Sequence, residues 1–249
     1  MNASIPPSPP APSPAAPLPQ VPTDQSHLLR ILLIVSLSTG VIDAICLLHL
    51  KVFTAYMTGT MILVGIHLTG ATPLALPPII ALASFGTGAT LGGRLVRREA
   101  GNVAGHATRI RILAHALTVV TVLVLMAVVL SALTDLSEPR MHYLAVLILG
   151  LAMGIQVAGS RQAGVLDMTL PAATMVLHGV FFDSVVAGGK ADRQGRRLAV
   201  IVALVLGAAV GAELSLWRIW AGLLCGDLLL AGATLAAYAL ARQPVSETS

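Results

Sequence analysis

From about residue 28 to residue 241 the chain alternates between long apolar runs and short polar breaks. Ile31 to Leu50 is interrupted only by Asp43 and a few small polar residues, and Ile112 to Leu133 carries His115 as its single ionisable group. Runs of about 20 apolar residues match the thickness of a bilayer core. The pattern predicts eight apolar segments, four in each half. They cover 28–50, 53–70, 75–95 and 110–134, then 142–161, 168–189, 197–214 and 217–241. The second segment of each half differs from the rest. The stretch 53–70 is short and holds Thr54, Tyr56, Thr58, Gly59 and Thr60, and its counterpart at 168–189 holds Pro171, His178, Gly179 and Asp183. Such segments make poor continuous spans, but they suit broken or re-entrant helices enclosed by protein.

The two halves carry one skeleton. Gly40-Val-Ile-Asp43-Ala44, Met57-Thr58-Gly59-Thr60 and Gly88-Ala-Thr-Leu-Gly92 are followed by Gly154-Ile-Gln156-Val157-Ala158, Leu177-His178-Gly179-Val180 and Gly207-Ala-Ala-Val-Gly211. From Gly40 to Gly154 the offset is 114, from Gly59 to Gly179 it is 120, and from Gly88 to Gly207 it is 119. That is close to the register of a diverged duplication, a common plan for transporters. Glycines at matching positions of both halves, Gly40 and Gly154, Gly88 and Gly92, Gly207 and Gly211, are expected where helix backbones approach closely.

Basic residues decide how many segments cross. If all eight crossed, the fifteen lysines and arginines would divide eight to seven between the two sides. If both odd segments dip in and return, only Lys51, Arg140 and Arg218 fall on one side and the other twelve on the opposite one. The second split is the positive-inside bias, with both termini cytoplasmic. A seven-span arrangement in which only 53–70 crosses gives the same count; the repeat favours treating both segments alike. Three crossings per half would place the halves in opposite orientations, an inverted repeat. The expected fold is all-α: a polytopic transmembrane bundle of about six crossing helices, two short re-entrant segments and two inverted repeats. The expected organisation is a Pro-rich, disordered cytoplasmic tail at 1–26, a first repeat at 27–134, a second at 135–242 and a short tail at 243–249.

Composition agrees with this class. The chain is 56% hydrophobic and 10% charged with mean hydropathy +0.86, whereas soluble domains carry roughly 25% charged residues. The +4 charge raises the question of a nucleic-acid partner. The arginines cluster in two short loops with no interleaved aromatic residues for base stacking, so loop bias explains them and no nucleic acid is expected. Nine of the fifteen prolines lie before residue 27, in a segment with almost no charge. It cannot bury a core and lacks the basic start and apolar centre of a signal peptide. Cys46 and Cys225 lie in apolar runs and fit neither a disulfide framework nor a zinc spacing.

Polar side chains at membrane depth are the candidates for chemistry. Asp43 reads either as an ion, proton or substrate contact or as a hydrated interfacial carboxylate near Lys51. Tyr56, Thr58, Gly59 and Thr60 surround a break whose freed backbone groups could meet an ion or polar solute. His178, Gly179 and Asp183 occupy the corresponding place in the second half, with His178 suited to proton coupling or to packing. Gln156 suits helix-to-helix bonding or solute contact. Asp227, within Leu-Leu-Cys-Gly-Asp-Leu-Leu-Leu, is the deepest carboxylate by position. Glu213, His115 and Asp167 read as interfacial. No Walker loop, HExxH, GxSxG or paired cysteine motif is present, so no enzyme, metal site or cofactor is expected.

The order Gly40-x-x-Asp43-Ala44, Met57-Thr58-Gly59, Gly92-Gly93-Arg94 and Gly154-x-Gln156-x-Ala158 resembles the YoaK-like bacterial membrane proteins, a family of unknown function. The resemblance covers about residues 30 to 241. Thr60 stands where that pattern has asparagine, Val157 where it has the asparagine after the glutamine, and His178-Gly179-Val180 where it has Thr-Gly-Thr. The resemblance implies a multi-pass protein of the bacterial inner membrane and supplies no substrate. The expected function is a small-solute or ion permease with a site between the repeats. The alternative is a membrane scaffold or regulatory subunit without transport. Partners are the lipid bilayer and an unidentified solute or ion; the small-residue faces permit a homodimer without requiring one.

Overall fold

The computed structural model describes residues 23–70, 76–100, 106–162, 173–189 and 194–242. Among these residues the regular structure is helical. The elements are α1 (Thr23–Ile45, continued by a π-helical turn over Cys46–Leu50), α2 (Met57–Leu68), α3 (Leu76–Ala100) and α4 (His106–Leu133). The second half follows as α5 (Pro139–Gln162), α6 (Ala173–Phe182), α7 (Gln194–Trp217) and α8 (Ile219–Ala241). Six helices are long and apolar enough to cross a membrane, whereas Met57–Leu68 and Ala173–Phe182 are not. A 12-residue helix such as α2 rises only about 18 Å, against a hydrocarbon core of about 30 Å. The division into six spans and two short segments thus stands. The short helices are shorter than the apolar runs that announced them, because α2 begins four residues later than the run at 53–70. Of the expected tails, residues 1–22 and 243–249 lie outside the described residues, as do Asp167 and Pro171; residues 23–26, expected in the disordered tail, instead begin α1.

Helix directions follow from which residues meet. Gly40 of α1 packs on Leu204 and Ala208 of α7, and Gly211 packs on Val41, so these two helices run parallel. In α3 and α5, Gly88 meets Leu151 and Gly92 meets Ile155 and Ala158, again in parallel. Helix α8 runs against α1, with Gly222 beside Ile45 and Gly226 beside Val41 and Ile42. It also runs against α4, through Thr118–Tyr238 and Thr121–Thr234. Helix α5 packs along α4 with Gly159 beside Ala116, and the five-residue connection 134–138 turns it back against α4. Taken together, α1, α4 and α7 point one way and α3, α5 and α8 the other. The first helices of the two halves are antiparallel, and the halves are inverted.

Matching glycines make matching contacts. A β-carbon at Gly40 would overlap the Leu204 carbonyl oxygen, and one at Gly154 would overlap that of Phe85. Gly207 is equally close to the Leu37 carbonyl, and Gly88 to that of Leu151. Exchange of the halves turns the α1–α7 interface into the α5–α3 interface, and α4–α8 into itself. Small residues permit this approach, and exposed apolar side chains such as Val122, Met126, Val202 and Val205 cover the outside. The described arginines at 30, 94, 97, 98, 109, 111, 161, 196, 197 and 242 all fall at one end of the bundle. Lys51, Arg140 and Arg218 fall at the other, where Trp217 and Trp220 also gather.

Candidate functional site

The first break begins at Lys51, the one non-glycine residue with positive φ among those described (φ 59°). Its ammonium closes the end of α1 by donating to the Leu48 carbonyl at 2.7 Å. The chain then turns back along α1 instead of leaving the bundle. Asp43, only 4% exposed, receives it. Its Oδ1 accepts from the Thr54 N–H at 2.7 Å, the Thr54 hydroxyl at 2.8 Å and the Ala55 N–H at 3.0 Å, and its Oδ2 accepts from the Tyr56 N–H at 3.0 Å. An irregular segment cannot leave its amides bare at membrane depth, and one carboxylate supplies what three of them need. All four partners are donors, the complement that an ionised carboxylate requires.

A second clip fixes the start of α2. The Thr60 hydroxyl donates to the Phe53 carbonyl at 2.7 Å and accepts from the Phe53 N–H at 3.0 Å. A side chain at Gly59 would strike the Phe53 ring. The break expected at Thr58-Gly59-Thr60 therefore lies earlier, over 51–56, and the three residues form the first turn of α2. Helix formation resumes there because Thr60 and Asp43 have already tied down the incoming strand.

The ordered break opens onto a cavity of about 510 Å³ between the two halves. The first half contributes Phe53, Ala55, Tyr56, Met57, Thr58, Gly59 and Met61 around the start of α2, together with Phe85 of α3. The second half contributes Val157 of α5 and Thr174 of α6. Half of the ten lining residues are aromatic or thioether-bearing (Phe53, Tyr56, Phe85, Met57 and Met61), and Tyr56, Thr58 and Thr174 are those with hydroxyls. No charged side chain is among its described lining residues. By the repeat register Val157 is the counterpart of Asp43, so the carboxylate of one half is answered by an apolar side chain in the other.

The second short helix is held differently. Arg197 of α7 donates to the Gly179 carbonyl at 2.7 Å and pairs with Asp183, while Gln194 donates to the Val180 carbonyl at 3.2 Å. Gly179 is needed where it is, since a β-carbon would meet the guanidinium. Thus α2 is pinned at its start by an acid on α1, and α6 at its end by a base on α7. His178 is exposed on α6 and stacks on Phe182 at 5.2 Å, away from the cavity wall.

The remaining candidates lie elsewhere. Gln156 is buried and donates through Nε2 to the Thr39 hydroxyl at 2.7 Å, tying α5 to α1 at the centre of the bundle. Its Oε1 and the Ser160 hydroxyl, one turn apart on α5, have no hydrogen-bond partner. Asp227 is 5% exposed and its Oδ1 is unpartnered. Counting back along the antiparallel seam from the Thr121–Thr234 pair places it level with Val128. His115 pairs with Glu99 at 2.8 Å near the arginine-rich end. Among the described residues no group of three His, Cys, Asp or Glu side chains comes close enough to hold a metal ion.

Of the residues singled out from sequence, Tyr56, Thr58 and Gly59 line the cavity, and Asp43 and Thr60 shape its wall from behind. His178, Gly179 and Asp183 form a separate cluster, and Asp227 sits in another seam. Phe53, Met57, Met61, Phe85, Val157 and Thr174 were not anticipated as lining. Two of them, Met57 and Val157, stood in the repeat skeleton and the family pattern; nothing in the sequence set the other four apart.

One family model matches residues 31–239, that of the family described as "Protein of unknown function (DUF1275)", and the chain belongs to this family. No curated protein matches the chain. No solved structure matches it.

Proposed function

We propose that this member of the DUF1275 family is a small membrane permease whose solute site is the cavity between α2, α3, α5 and α6. The observation that carries the reading is that the starts of both short helices, one from each inverted half, border the same space. Transporters built from inverted repeats place their sites where interrupted helices of the two halves meet near the bilayer midplane. The arginine-rich end is assigned to the cytoplasm by the positive-inside rule, which puts both termini there. The resemblance in motif order assigns the bacterial inner membrane. No catalytic step is assigned.

The test is flux in proteoliposomes across a panel of ions, protons and neutral solutes, with Val157→Trp as a cavity-filling variant. Flux that the variant abolishes supports the permease. One observation favours a non-transporting scaffold instead: Asp43, Arg197 and Asp183 are engaged in holding their own chain. If no solute moves and a pull-down returns one stoichiometric partner that Val157→Trp still binds, the scaffold reading replaces the permease.

A further inference from the structure

The cavity has a charge character that its lining alone does not reveal. Ala55 and Tyr56 form part of its wall, and their backbone N–H groups point away from it onto Asp43. The carboxylate thus lies one residue behind the surface. It has four hydrogen-bond donors and no cationic partner among the described residues; Lys51, the nearest base in sequence, turns its ammonium to Leu48. Neutral donors disperse a negative charge without cancelling it, and a low-dielectric setting lets its field reach into the cavity. The same carboxylate occupies the space beside the start of α2, where an anion would otherwise be favoured. Anions are therefore repelled from the start of α2; the start of α6, which borders the same cavity at Thr174, has no such carboxylate among the described lining residues.

The wall adds a second preference. Phe53, Tyr56 and Phe85 bring three aromatic rings to a cavity with no hydrated charge of its own. Aromatic faces attract cations, most strongly where water is excluded, and bulky ammonium groups are the ligands such walls suit. A small inorganic cation would find only three side-chain hydroxyls, from Tyr56, Thr58 and Thr174, to replace its water shell. We infer that the cavity between α2, α3, α5 and α6 selects organic monocations, with a substituted ammonium group over the aromatic wall and Asp43 behind it as a fixed counter-charge. This rests on the permease reading and names the solute class of the same site.

The experiment measures calorimetric binding to the full chain in zwitterionic nanodiscs, with empty discs as the blank. The probes are phenyltrimethylammonium, its neutral carbon isostere tert-butylbenzene, and benzenesulfonate. The cation should bind at least about tenfold more tightly than the isostere, the effect of a unit charge several ångströms away at intermediate dielectric. Benzenesulfonate should not bind. Asp43→Asn, which keeps an oxygen facing the three Oδ1 donors, should reduce the preference for the cation to less than about threefold. Should that variant fail to fold, Val157→Asp provides the opposite test. It leaves the Asp43 contacts intact and adds a carboxylate directly to the cavity wall, so cation affinity should rise several-fold.

Equal binding of cation and isostere, an unchanged preference in folded Asp43→Asn, or no gain in Val157→Asp would overturn the inference. Tight binding of tert-butylbenzene alone, lost in Val157→Trp, would overturn cation selectivity and leave the permease standing. Binding of none of the probes, with flux of some other solute blocked by Val157→Trp, would do the same. Binding of none without any flux removes both readings.

Discussion

Replacing Asp43 with alanine sets two large effects against each other, and the structure decides which one wins. A carboxylate inside a spanning helix costs about 2.5–3.5 kcal/mol on insertion scales, so deleting a poorly partnered one would stabilise the protein by about that much. Asp43 instead accepts four hydrogen bonds, three of them from consecutive backbone amides at 54–56. Bonds to a charged group contribute roughly 1.5–3 kcal/mol each, so even the low end sums to about 6 kcal/mol. Relief of the charge offsets about half of that, leaving a net loss of about 3 kcal/mol concentrated in the returning strand.

The assay is hydrogen exchange of the Thr54, Ala55 and Tyr56 amides in nanodiscs, read beside amides in the centre of α5. A local loss of about 3 kcal/mol corresponds to exchange about a hundredfold faster at 54–56, with α5 unchanged. Asp43→Asn keeps one oxygen facing three donors and loses chiefly the Tyr56 bond, so its exchange should speed up by about tenfold. Unchanged protection at 54–56 in Asp43→Ala, or higher global stability, would refute the claim that this carboxylate holds the break in place.

Three further outcomes follow from the packing. Gly88→Val and Gly207→Val should each destabilise by roughly 2 kcal/mol or more in thermal or denaturant unfolding, because each new β-carbon overlaps a carbonyl oxygen of the facing helix; Gly65→Ala, with open space around it, should be neutral or slightly stabilising, and equal losses at Gly65 would refute the close approach of these helices. Arg197→Met should loosen α6, so that a cysteine introduced at the buried Val176 reacts markedly faster with a soluble thiol reagent while one at the exposed Leu133 does not; equal rates before and after would show that the Arg197 contacts to Gly179 and Asp183 do not hold α6. In the loop between α4 and α5, the Ser137 N–H, 2.8 Å from Asp135 Oδ1, and the Ser137 hydroxyl hold the Asp135 carboxyl below its ordinary 3.8. A depressed folded pKa contributes stability that is present above 3.8 and lost as pH falls through the lower folded value, so exchange at Ser137 should quicken only in that acid window, and Asp135→Ala should abolish the dependence.

The number and kind of elements were legible in the sequence because membrane burial acts on composition, residue by residue. A run such as Ile112 to Leu133 has few stable alternatives to a spanning helix, and the polar content of 53–70 and 168–189 marked both as exceptions. The inversion was legible too, since glycines recur at 114 to 120 residues and twelve of the fifteen basic residues fall on one side of a six-span count. Close helix packing needs a missing side chain at a fixed place on each helix, so Gly40, Gly88, Gly154 and Gly207 keep their register even where their neighbours have diverged.

Tertiary structure decided what the polar residues do. Asp43 has the same letters around it whether it faces solute, water or its own chain; only the reversal at Lys51 brings the amides of 54–56 onto it. Asp183 acquires Arg197 across a turn, His178 turns outward, and Asp227 stays without a partner for Oδ1, none of which is carried by local spacing. The cavity is least legible of all, because Phe53, Phe85, Val157 and Thr174 come from four separate elements and are ordinary membrane residues one at a time. Their meeting depends on how the two inverted halves pack. Apolar periodicity and small-residue register are properties of a segment, whereas a site between repeats is a property of the distances among segments.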